Sequence, residues 1–336
     1  MDPWTAVGLV RGTLRRRVGR GGSESVTPGL TRSLPARGVS TASRVTADPD
    51  SVVENPILTG DDVDDIERVA FVADPFVVRT DGRYHLFFEI KSARQGRLGP
   101  DWQFDIGHAT STGGRDWTYE GVVLPAAQAE HTYPYVFRHE DAWYMTPSPA
   151  GTTPREFRVY RADPFPKKWR LVDRSLRGRV RIDPTPFRFC EAWYMPYQEA
   201  GSFDVRLAIA DSLINGDWTH HPADPLFIPG GNDVAAGGRP VVSDESVDFF
   251  FRRGTPGVVE HWRLSTLTPT ELIGYELPDS PIVEGVGGDG WNGQNMHHVD
   301  SGTDDDLVIV DGQDTEHLYR IGVYRDEGDG DSQPEP

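Results

Sequence analysis

The chain has 336 residues, of which 52 are acidic and 34 basic, so its formal net charge at pH 7 is −18. Such acidity disfavours nucleic acid as a partner, because a surface of that sign repels phosphate. Lysine occurs only at positions 91, 167 and 168. A carboxylate-rich, lysine-poor surface resembles the proteins of salt-loving archaea, where high ionic strength screens self-repulsion; an acidic mesophilic protein is the alternative.

The first 47 residues carry eight Arg and many Gly, Ser and Thr, a composition that cannot bury enough apolar surface to become ordered. We therefore predict a disordered segment over residues 1–47, a folded domain over residues 52–326 and a disordered acidic tail over residues 327–336. No apolar run approaches the roughly 20 residues of a transmembrane span, and no export signal is convincing, so the cytoplasm is the expected compartment. A membrane-touching helix over residues 4–17 is an alternative that two glycines weaken.

A short Pro-containing apolar segment at residues 54–59 precedes the first of five repeats. Similar segments follow Trp218 in the third repeat and close the fourth repeat, but the fifth repeat has none. Because a ring of sheets must pair its two chain ends to avoid an open edge, we predict that residues 54–59 form the outer strand of blade five. An irregular leader beside an incomplete last blade is the alternative.

The repeats themselves share one pattern: a polar or charged residue opens a strand, an acidic turn follows within eight positions, and an aromatic or aliphatic strand comes next. A period of about fifty to sixty residues is typical of a β-propeller, and each turn lies between strand-like runs, as in a hairpin. The sequence therefore predicts an all-β protein, a five-bladed β-propeller. The openings are Asp74, Tyr133, Asp183, Arg239 and His297, and the turns are Asp81-Gly82, Glu140-Asp141, Cys190-Glu191, Asp244-Glu245 and Asp304-Asp305.

Three tryptophans, Trp117, Trp169 and Trp218, stand near the start of an outer strand, where a large ring can fill the gap between neighbouring blades. The innermost strands of a propeller surround the central channel, so the five openings are predicted to be neighbours around one funnel. Two carboxylates there, Asp74 and Asp183, can do acid and base work, because closeness and burial separate their pKa values. The structural alternative is that each Asp-Pro pair only begins a turn.

The same residues carry a family resemblance. The chain resembles the five-bladed propellers related to glycoside hydrolase family 43, and within that group the domain found N-terminal in plant glucosamine inositolphosphorylceramide transferases and in bacterial and archaeal relatives. The resemblance covers residues 54–325. It rests on the segments Ala73-Asp74-Pro75-Phe76, Asp81-Gly82-Arg83-Tyr84, Leu86-Phe87-Phe88-Glu89, Tyr133-Pro134-Tyr135-Val136-Phe137 and Asp183-Pro184-Thr185-Pro186-Phe187.

By this resemblance Asp74 is the general base of an inverting hydrolysis, and Asp183 tunes the pKa and orients the acid. The family's acid is a Glu before the fourth-blade proline, but here Gly237-Gly238-Arg239 precedes Pro240. An inverting reaction needs both groups. Glu89 and Glu199 are substitute acids if their loops fold inward; otherwise they are strand-end carboxylates bonded to backbone or Arg.

Arg239 in a closed funnel can bind a carboxylate, phosphate or sulfate through two parallel hydrogen bonds, which predicts an anionic sugar. The alternative is a salt bridge to Asp183 or Asp74 that holds the blades together. His131 and His297 can shuttle protons or hold a sugar hydroxyl, whereas a hydrogen-bonded core histidine is common. The resemblance implies that the last-blade histidine lines the axis and faces an ion or water, so an axial calcium at His297 is the one cofactor considered.

Flat aromatic faces are platforms for sugar rings, although most buried aromatics serve the core. The candidates are Phe71, Tyr135, Trp102 and Trp291, the last in a Gly-rich rim loop over residues 287–293. Tyr133, as one of the five openings, is also expected to contact the substrate. Two functions remain in view. One is a glycosidase-like enzyme acting on a glycosyl linkage of an anionic glycan or glycolipid. The other is a non-catalytic glycan-binding propeller with a glycosyltransferase partner.

Overall fold

The computed structural model describes residues 47–49, 53–95, 100–226, 234–254, 257–278, 280–300 and 307–326. Within these residues the protein is all-β, as predicted, with a single short 3₁₀ turn over Gly60–Asp62. The predicted disordered segments over residues 1–47 and 327–336 lie outside this described part, apart from Ala47. No helix in the described ranges is long and apolar enough to cross a membrane.

Five antiparallel sheets form the five predicted blades. The first strand, β1 (Ala47–Pro49), belongs to the last blade. Blade one is β2 (Val69–Thr80), β3 (Arg83–Gln95), β4 (Pro100–Ser111) and β5 (Thr118–Leu124). Blade two is β6 (His131–His139), β7 (Ala142–Pro149), β8 (Phe157–Ala162) and β9 (Trp169–Ser175).

The later blades break their first strand into two pieces. Blade three is β10 (Val180–Ile182), β11 (Phe187–Phe189), β12 (Ala192–Glu199), β13 (Val205–Ala210) and β14 (Thr219–His220). Blade four is β15 (Val234–Ala236), β16 (Val241–Val242), β17 (Val247–Arg253), β18 (Val258–Leu267), β19 (Leu272–Glu276) and β20 (Val283–Glu284). Blade five is β21 (Val299–Asp300), β22 (Leu307–Gln313) and β23 (Tyr319–Asp326), and β1 completes it.

The chain ends close the ring as predicted. Leu58 bridges to Ile321, the Ile321 amide donates to the Leu58 carbonyl over 2.9 Å, and the Asn55 side chain exchanges two 2.8 Å hydrogen bonds with the Val323 backbone. The contact reaches further towards the N-terminus than residues 54–59, because β1 pairs with the end of β23. Leu58, 1% exposed, is part of the apolar core shared by blades one and five.

The predicted openings are not the first residues of strands, which corrects the sequence interpretation. Asp74 lies inside β2 at a break in register between Ala73 and Phe76, and Tyr133 lies at the matching break in β6. Asp74, Tyr133 and Asp183 have left-handed φ angles of 50°, 47° and 56°. Such bulges are a means of re-aiming a side chain out of the regular alternation of a strand. The repeat therefore marks a kink in the inner strands of blades one to three.

The hairpin turns repeat in the same register. Asp81, Glu140 and Cys190 have φ angles of 53°, 52° and 53°, and each is the first residue of a two-residue turn. A positive φ at this position is what a tight hairpin requires. The fifth predicted turn, at residues 304–305, lies outside the described part of the chain.

Aromatic rings join neighbouring blades at their outer strands. Trp169 of blade two meets the Phe87 ring of blade one edge-on at 5.7 Å, and Trp218 of blade three meets Phe157 of blade two at 5.5 Å. These two tryptophans pack as predicted. Trp117 differs: its ring contact is with Tyr84 of its own blade, at 6.4 Å.

The axis of the propeller is filled below the funnel rather than open. Phe76 lies 4.9 Å from the ring of Tyr133 and 4.6 Å from that of His298, while Tyr133 and His298 are 5.4 Å apart. All three are nearly or fully buried. The guanidinium of Arg239 lies over the rings of Phe76 and Tyr135, 5.7 and 5.3 Å from their centroids. These side chains come from four blades and form a closed core across the axis.

Candidate active site

A cavity of about 570 Å³ lies on the axis, at the end of the ring where the inner strands kink. Four of the predicted site residues line it: Asp74, Glu89, Asp183 and His297. Phe71, named as an aromatic platform, also lines it, beside Tyr319, whose ring it meets edge-on at 5.4 Å. The two repeated aspartates therefore share one cavity although more than a hundred residues separate them in the chain.

Asp74 and Glu89 form a carboxyl pair on the wall of blade one. They come together because Glu89 of β3 lies directly across from Ala73, the neighbour of Asp74 in β2. Asp74 is 9% exposed and Glu89 is 4% exposed. Burial raises the pKa of Glu89 well above its ordinary value, and the charge of Asp74 and a hydrogen bond between the two carboxyls raise it further. Burial also raises the pKa of Asp74, to about 6. The pair therefore holds a proton to higher pH than an isolated carboxyl does.

Asp183 reaches the cavity from blade three and is held in place by two neighbours. Its Oδ1 accepts a 2.9 Å hydrogen bond from Ser148, which in turn accepts one of 2.6 Å from the Asp183 amide. Its Oδ2 accepts two hydrogen bonds of 3.3 Å from Arg252. Burial raises the pKa of Asp183, although Arg252 opposes the shift. The charge of Asp183 contributes to the raised pKa of Asp74, the direction expected of a tuning residue.

His297 joins Asp74 to a deeper carboxylate, Asp311. The His297 Nδ1 is 2.8 Å from Asp311 Oδ1, and its Nε2 is 3.4 Å from Asp74 Oδ1. Burial alone would lower the pKa of His297, but the charge of Asp311 outweighs it and the pKa is raised. Asp311 is fully buried and also accepts from the amides of Asp74, His297 and His298. The arrangement orients the imidazole and fixes the kink at Asp74.

Asp74, His297 and Asp311 are also the group within the described ranges that could hold a metal ion, since one ligand atom from each lies within 4.8 Å of the others. This set fits calcium poorly. Calcium takes six to eight oxygen ligands, whereas both Asp311 oxygens already accept backbone amides and the imidazole nitrogens already face carboxylates. The axial calcium considered from sequence gains no support from this geometry.

Arg239 does not face the cavity, which removes the reason for predicting an anionic sugar. Its guanidinium donates to both Asp300 oxygens over 2.8 and 3.1 Å, to the Val136 carbonyl over 2.7 Å and to the Val77 carbonyl over 3.2 Å. It thus joins blades one, two, four and five below the cavity floor. A blade-holding salt bridge was the alternative for this residue, but its partner is Asp300 rather than Asp74 or Asp183.

Other predicted contacts are likewise core residues. Tyr133 is 1% exposed and donates to the Gly238 carbonyl over 3.3 Å. His131 is fully buried between the Glu130 carbonyl and the Tyr160 hydroxyl, at 2.6 and 2.8 Å, and burial lowers its pKa to about 3. Both lie one side-chain layer from the lining, which blade two supplies through Thr132.

The remaining candidates lie beside the cavity rather than in it. Trp291 packs on blade five, in contact range of Gly312 and Gly322, while its loop lines the mouth through Gly287 and Gly293. Trp102 covers the buried Lys91, 4.6 Å from the ring centroid. Tyr135 lies over Arg239, as described above. Glu199 is bonded to Arg206 over 2.7 Å on the outside of blade three, so Glu89 is the substitute acid that the fold places inside.

The sequence interpretation missed a second set of polar residues, which hold the opening residues in place. Ser148, Arg252 and Asp311 lie in the second strands of their blades as Glu89 does in blade one, thirteen to fifteen positions after each opening. Each contacts an opening residue: Ser148 and Arg252 hold Asp183, and Asp311 holds His297. A charged residue that follows the apolar run within a strand, as in the β17 and β22 sequences, was the available signal.

Comparisons with known proteins agree with this architecture. A family model described as glucosamine inositolphosphorylceramide transferase 1, N-terminal, matches residues 39–313. Glucosamine inositolphosphorylceramide transferase 1 of Oryza sativa subsp. indica is 29% identical over 246 residues, which are 69% of this chain and 31% of the rice protein. The Arabidopsis thaliana protein of the same name is 27% identical over 245 residues, 68% of this chain and 30% of that protein. The chain therefore matches less than a third of each plant relative.

Solved structures show the same fold at low sequence identity. The β-1,2-mannobiose phosphorylase from Listeria innocua superposes with a TM-score of 0.63 at 14% identity, covering 81% of this chain and 95% of that one. A member of the GH130 family of mannoside phosphorylases, described with glycoside hydrolases that target β-1,2 mannosidic linkages, superposes with a TM-score of 0.60 at 13% identity, covering 88% and 96%. These likenesses establish the propeller fold. From the family match over most of its length, the chain belongs to the family of the glucosamine inositolphosphorylceramide transferase 1 N-terminal domain.

Proposed function

We propose that this propeller is a carbohydrate-active protein whose axial cavity binds a glycosyl group of a glycan or glycolipid and whose buried carboxyls break its glycosidic bond. The observation that carries the proposal is the Asp74–Glu89 pair: two buried carboxyls on paired strands that line one cavity, both with raised pKa. Perturbed carboxyls in the main concave site of a protein are a physical reason to expect acid–base chemistry. The glycoside-hydrolase-like fold and the names of the plant relatives support a sugar as the ligand.

The reaction needs an acid and a base on opposite sides of the sugar ring, and the Asp74–Glu89 pair can supply only one of them. Inversion requires acid and base about 6.5–9.5 Å apart with a water between them, and carboxyls in direct hydrogen-bond contact cannot be so placed. Two lining carboxyls come from other blades, the buried Asp183 and the exposed Glu284, and the buried Asp183 completes the constellation. Burial raises the pKa of Asp183 as well, but Arg252 and Ser148 favour its charged form through their hydrogen bonds, whereas Asp74 favours the protonated form of Glu89.

The reaction follows from this division of charge. The pair, through Glu89, donates its proton to the glycosidic oxygen as the bond to the anomeric carbon breaks. Asp183 accepts the proton of the hydroxyl that attacks that carbon, whether water or an acceptor sugar. Family resemblance implies the opposite assignment, with Asp74 as base and Asp183 as tuner. The two assignments involve the same residues and differ in which variant responds to the leaving group.

A second function, glycan binding without catalysis in the service of a glycosyltransferase, also rests on an observation. Where the resemblance expects a catalytic Glu, the chain has Gly237-Gly238-Arg239, and Arg239 is bonded into the core. The plant relatives are transferases more than three times as long as the region matched. A propeller that only presents a sugar to a transferase would keep the cavity and dispense with turnover.

The test is a panel of 4-nitrophenyl glycosides, in both anomers and in low and high salt, with the native chain and the variants Glu89→Gln, Asp74→Asn and Asp183→Asn. Any sugar that is turned over is tested again as its methyl and 2,4-dinitrophenyl glycosides. An acid matters most when the leaving group is poor. We therefore expect Glu89→Gln to slow methyl glycosides far more than 2,4-dinitrophenyl glycosides, and Asp183→Asn to slow both alike. A loss in Asp74→Asn that is equal for both leaving groups, with a loss in Asp183→Asn that is larger for the methyl glycoside, would support Asp74 as base. Saturable binding of a glycoside by the native chain without any turnover would contradict the enzyme and support the non-catalytic binding function. Equal binding by all four proteins would exclude this cavity as the binding site.

A further inference from the structure

We infer that the cavity is a blind pocket that takes a single terminal glycosyl unit, so that the protein recognises the end of a glycan and substrate and product pass through one mouth. This inference rests on the proposed function and names its class of substrate. It depends on three features of the described residues: a closed floor, a continuous wall and the depth at which the carboxyls lie.

The floor is made of aromatic rings and one buried ion pair. Phe76, Tyr133 and His298 contact one another across the axis with centroids 4.6–5.4 Å apart, immediately below the kinks that carry Asp74 and Asp183. Beneath them Arg239 is bonded to Asp300, whose Oδ2 accepts the Val77 amide over 2.7 Å. Interiors packed in this way contain no passage for a chain of sugar rings. A polysaccharide therefore cannot thread through the ring.

The wall is continuous because every blade contributes to it. Asp74, Thr132, Asp183, Arg252 and His297 represent blades one to five in order. A site that cleaves within a chain needs a groove open at both ends, so that sugars can lie on either side of the bond. Here the lining encircles the axis, and the described residues leave an entrance only at the rim, beside Gly285, Gly287 and Gly293.

The carboxyls lie at the closed end. Asp74 and Asp183 are only 9% and 4% exposed. Asp74 lies two residues before Phe76 of the floor, and Thr185, two residues after Asp183, donates to the Tyr133 hydroxyl over 3.2 Å. The glycosidic bond that can reach them is therefore the one next to the terminal sugar, whose ring occupies the end of the cavity between Arg252 and the Phe71–Tyr319 wall. The remainder of the ligand, whether lipid or glycan, extends through the mouth.

The experiment uses the full chain and the glycoside from the 4-nitrophenyl panel that binds most tightly by calorimetry. Two derivatives add bulk where a longer chain would continue: the 4,6-O-benzylidene acetal and the 3-O-benzyl ether. A third, the dodecyl glycoside, adds bulk only at the aglycone. We expect the first two to bind at least about tenfold more weakly, because extra carbon atoms are forced into a closed, packed site. The dodecyl glycoside should bind within about threefold of the parent.

The possible outcomes distinguish a failure of the blind-pocket inference from a failure of the proposed function. Ring-substituted derivatives that bind as tightly as the parent would overturn the blind pocket while leaving a sugar site intact. A dodecyl glycoside that binds at least about tenfold more weakly would overturn the single mouth for the aglycone. Failure of every panel glycoside to bind would overturn the proposed function, and this inference with it. Loss of parent binding in Asp183→Asn, but not in the surface control Arg170→Ala, locates the binding in the cavity.

Discussion

Replacement of Arg239 by Met tests whether this arginine holds the ring together or contacts a ligand. The substitution removes hydrogen bonds to Asp300, Val136 and Val77 and leaves the Asp300 carboxylate fully buried without its cation. Breaking a buried ion pair by removing one partner costs about 3–5 kcal/mol. At roughly 2–3 °C for each kcal/mol in a domain of this size, the melting temperature should fall by about 6–15 °C.

Urea denaturation followed by tryptophan fluorescence measures the free energy of unfolding, and calorimetry gives the melting temperature. Arg239→Lys should show an intermediate loss, because one ammonium cannot replace a planar guanidinium that serves three partners. The control is Arg170→Ala, which removes an exposed pair with Asp163 at 3.9 Å and should change stability by less than about 0.5 kcal/mol. An Arg239→Met protein as stable as the native chain, but unable to bind a glycoside, would refute the structural role.

Four further predictions follow from the structure. Asp74→Asn should lower the pKa of Glu89, since it removes a neighbouring charge and a hydrogen bond that favour the protonated form; ¹³C titration of the Glu89 carboxyl measures this, and an unchanged pKa would contradict the pair. Burial lowers the pKa of His131 to about 3 from 6.5. Between these two values the unfolded chain is protonated at His131 and the folded chain is not. The free energy of unfolding should therefore fall as the pH drops below 6.5, by about 2 kcal/mol at pH 5. His131→Gln should flatten that slope in urea denaturation, and an equal slope in both proteins would count against the shift. Deleting residues 1–60 should lower the melting temperature sharply, because Leu58 and Asn55 leave blade five, whereas deleting residues 1–46 should not; equal melting would argue against ring closure. With a net charge of −18, the melting temperature should rise between about 0.1 and 2 M KCl, and a constant or falling value would reject salt adaptation.

The fold was predictable because the repeats share a backbone conformation as well as a pattern of residue types. The openings at Asp74, Tyr133 and Asp183 share a left-handed φ, and so do the turns at Asp81, Glu140 and Cys190. A tight turn restricts which residues are tolerated, so the spacing was visible in one sequence. The closing strand followed from the need to pair sheet edges, and Leu58 meets Ile321 as that argument requires.

The site was predictable only in part, because a residue's position in the repeat does not determine the direction of its side chain. Asp74, Asp183 and His297 face the cavity, whereas Tyr133 and Arg239, which share their place in the repeat, are directed into the core. At a bulge one residue of offset changes the direction of a side chain, and single-sequence alignment cannot resolve that offset. Ser148 and Arg252 were missed because their roles depend on contacts with a neighbouring blade.

The most direct test of the central claim is a crystal structure of the Glu89→Gln variant with the tightest-binding glycoside of the panel. The account predicts one sugar ring at the closed end of the axial cavity, with its glycosidic oxygen within hydrogen-bond distance of residue 89 or Asp74 and its aglycone directed to the mouth. A glycoside bound elsewhere on the propeller, or one whose linkage lies away from both aspartates, would contradict it.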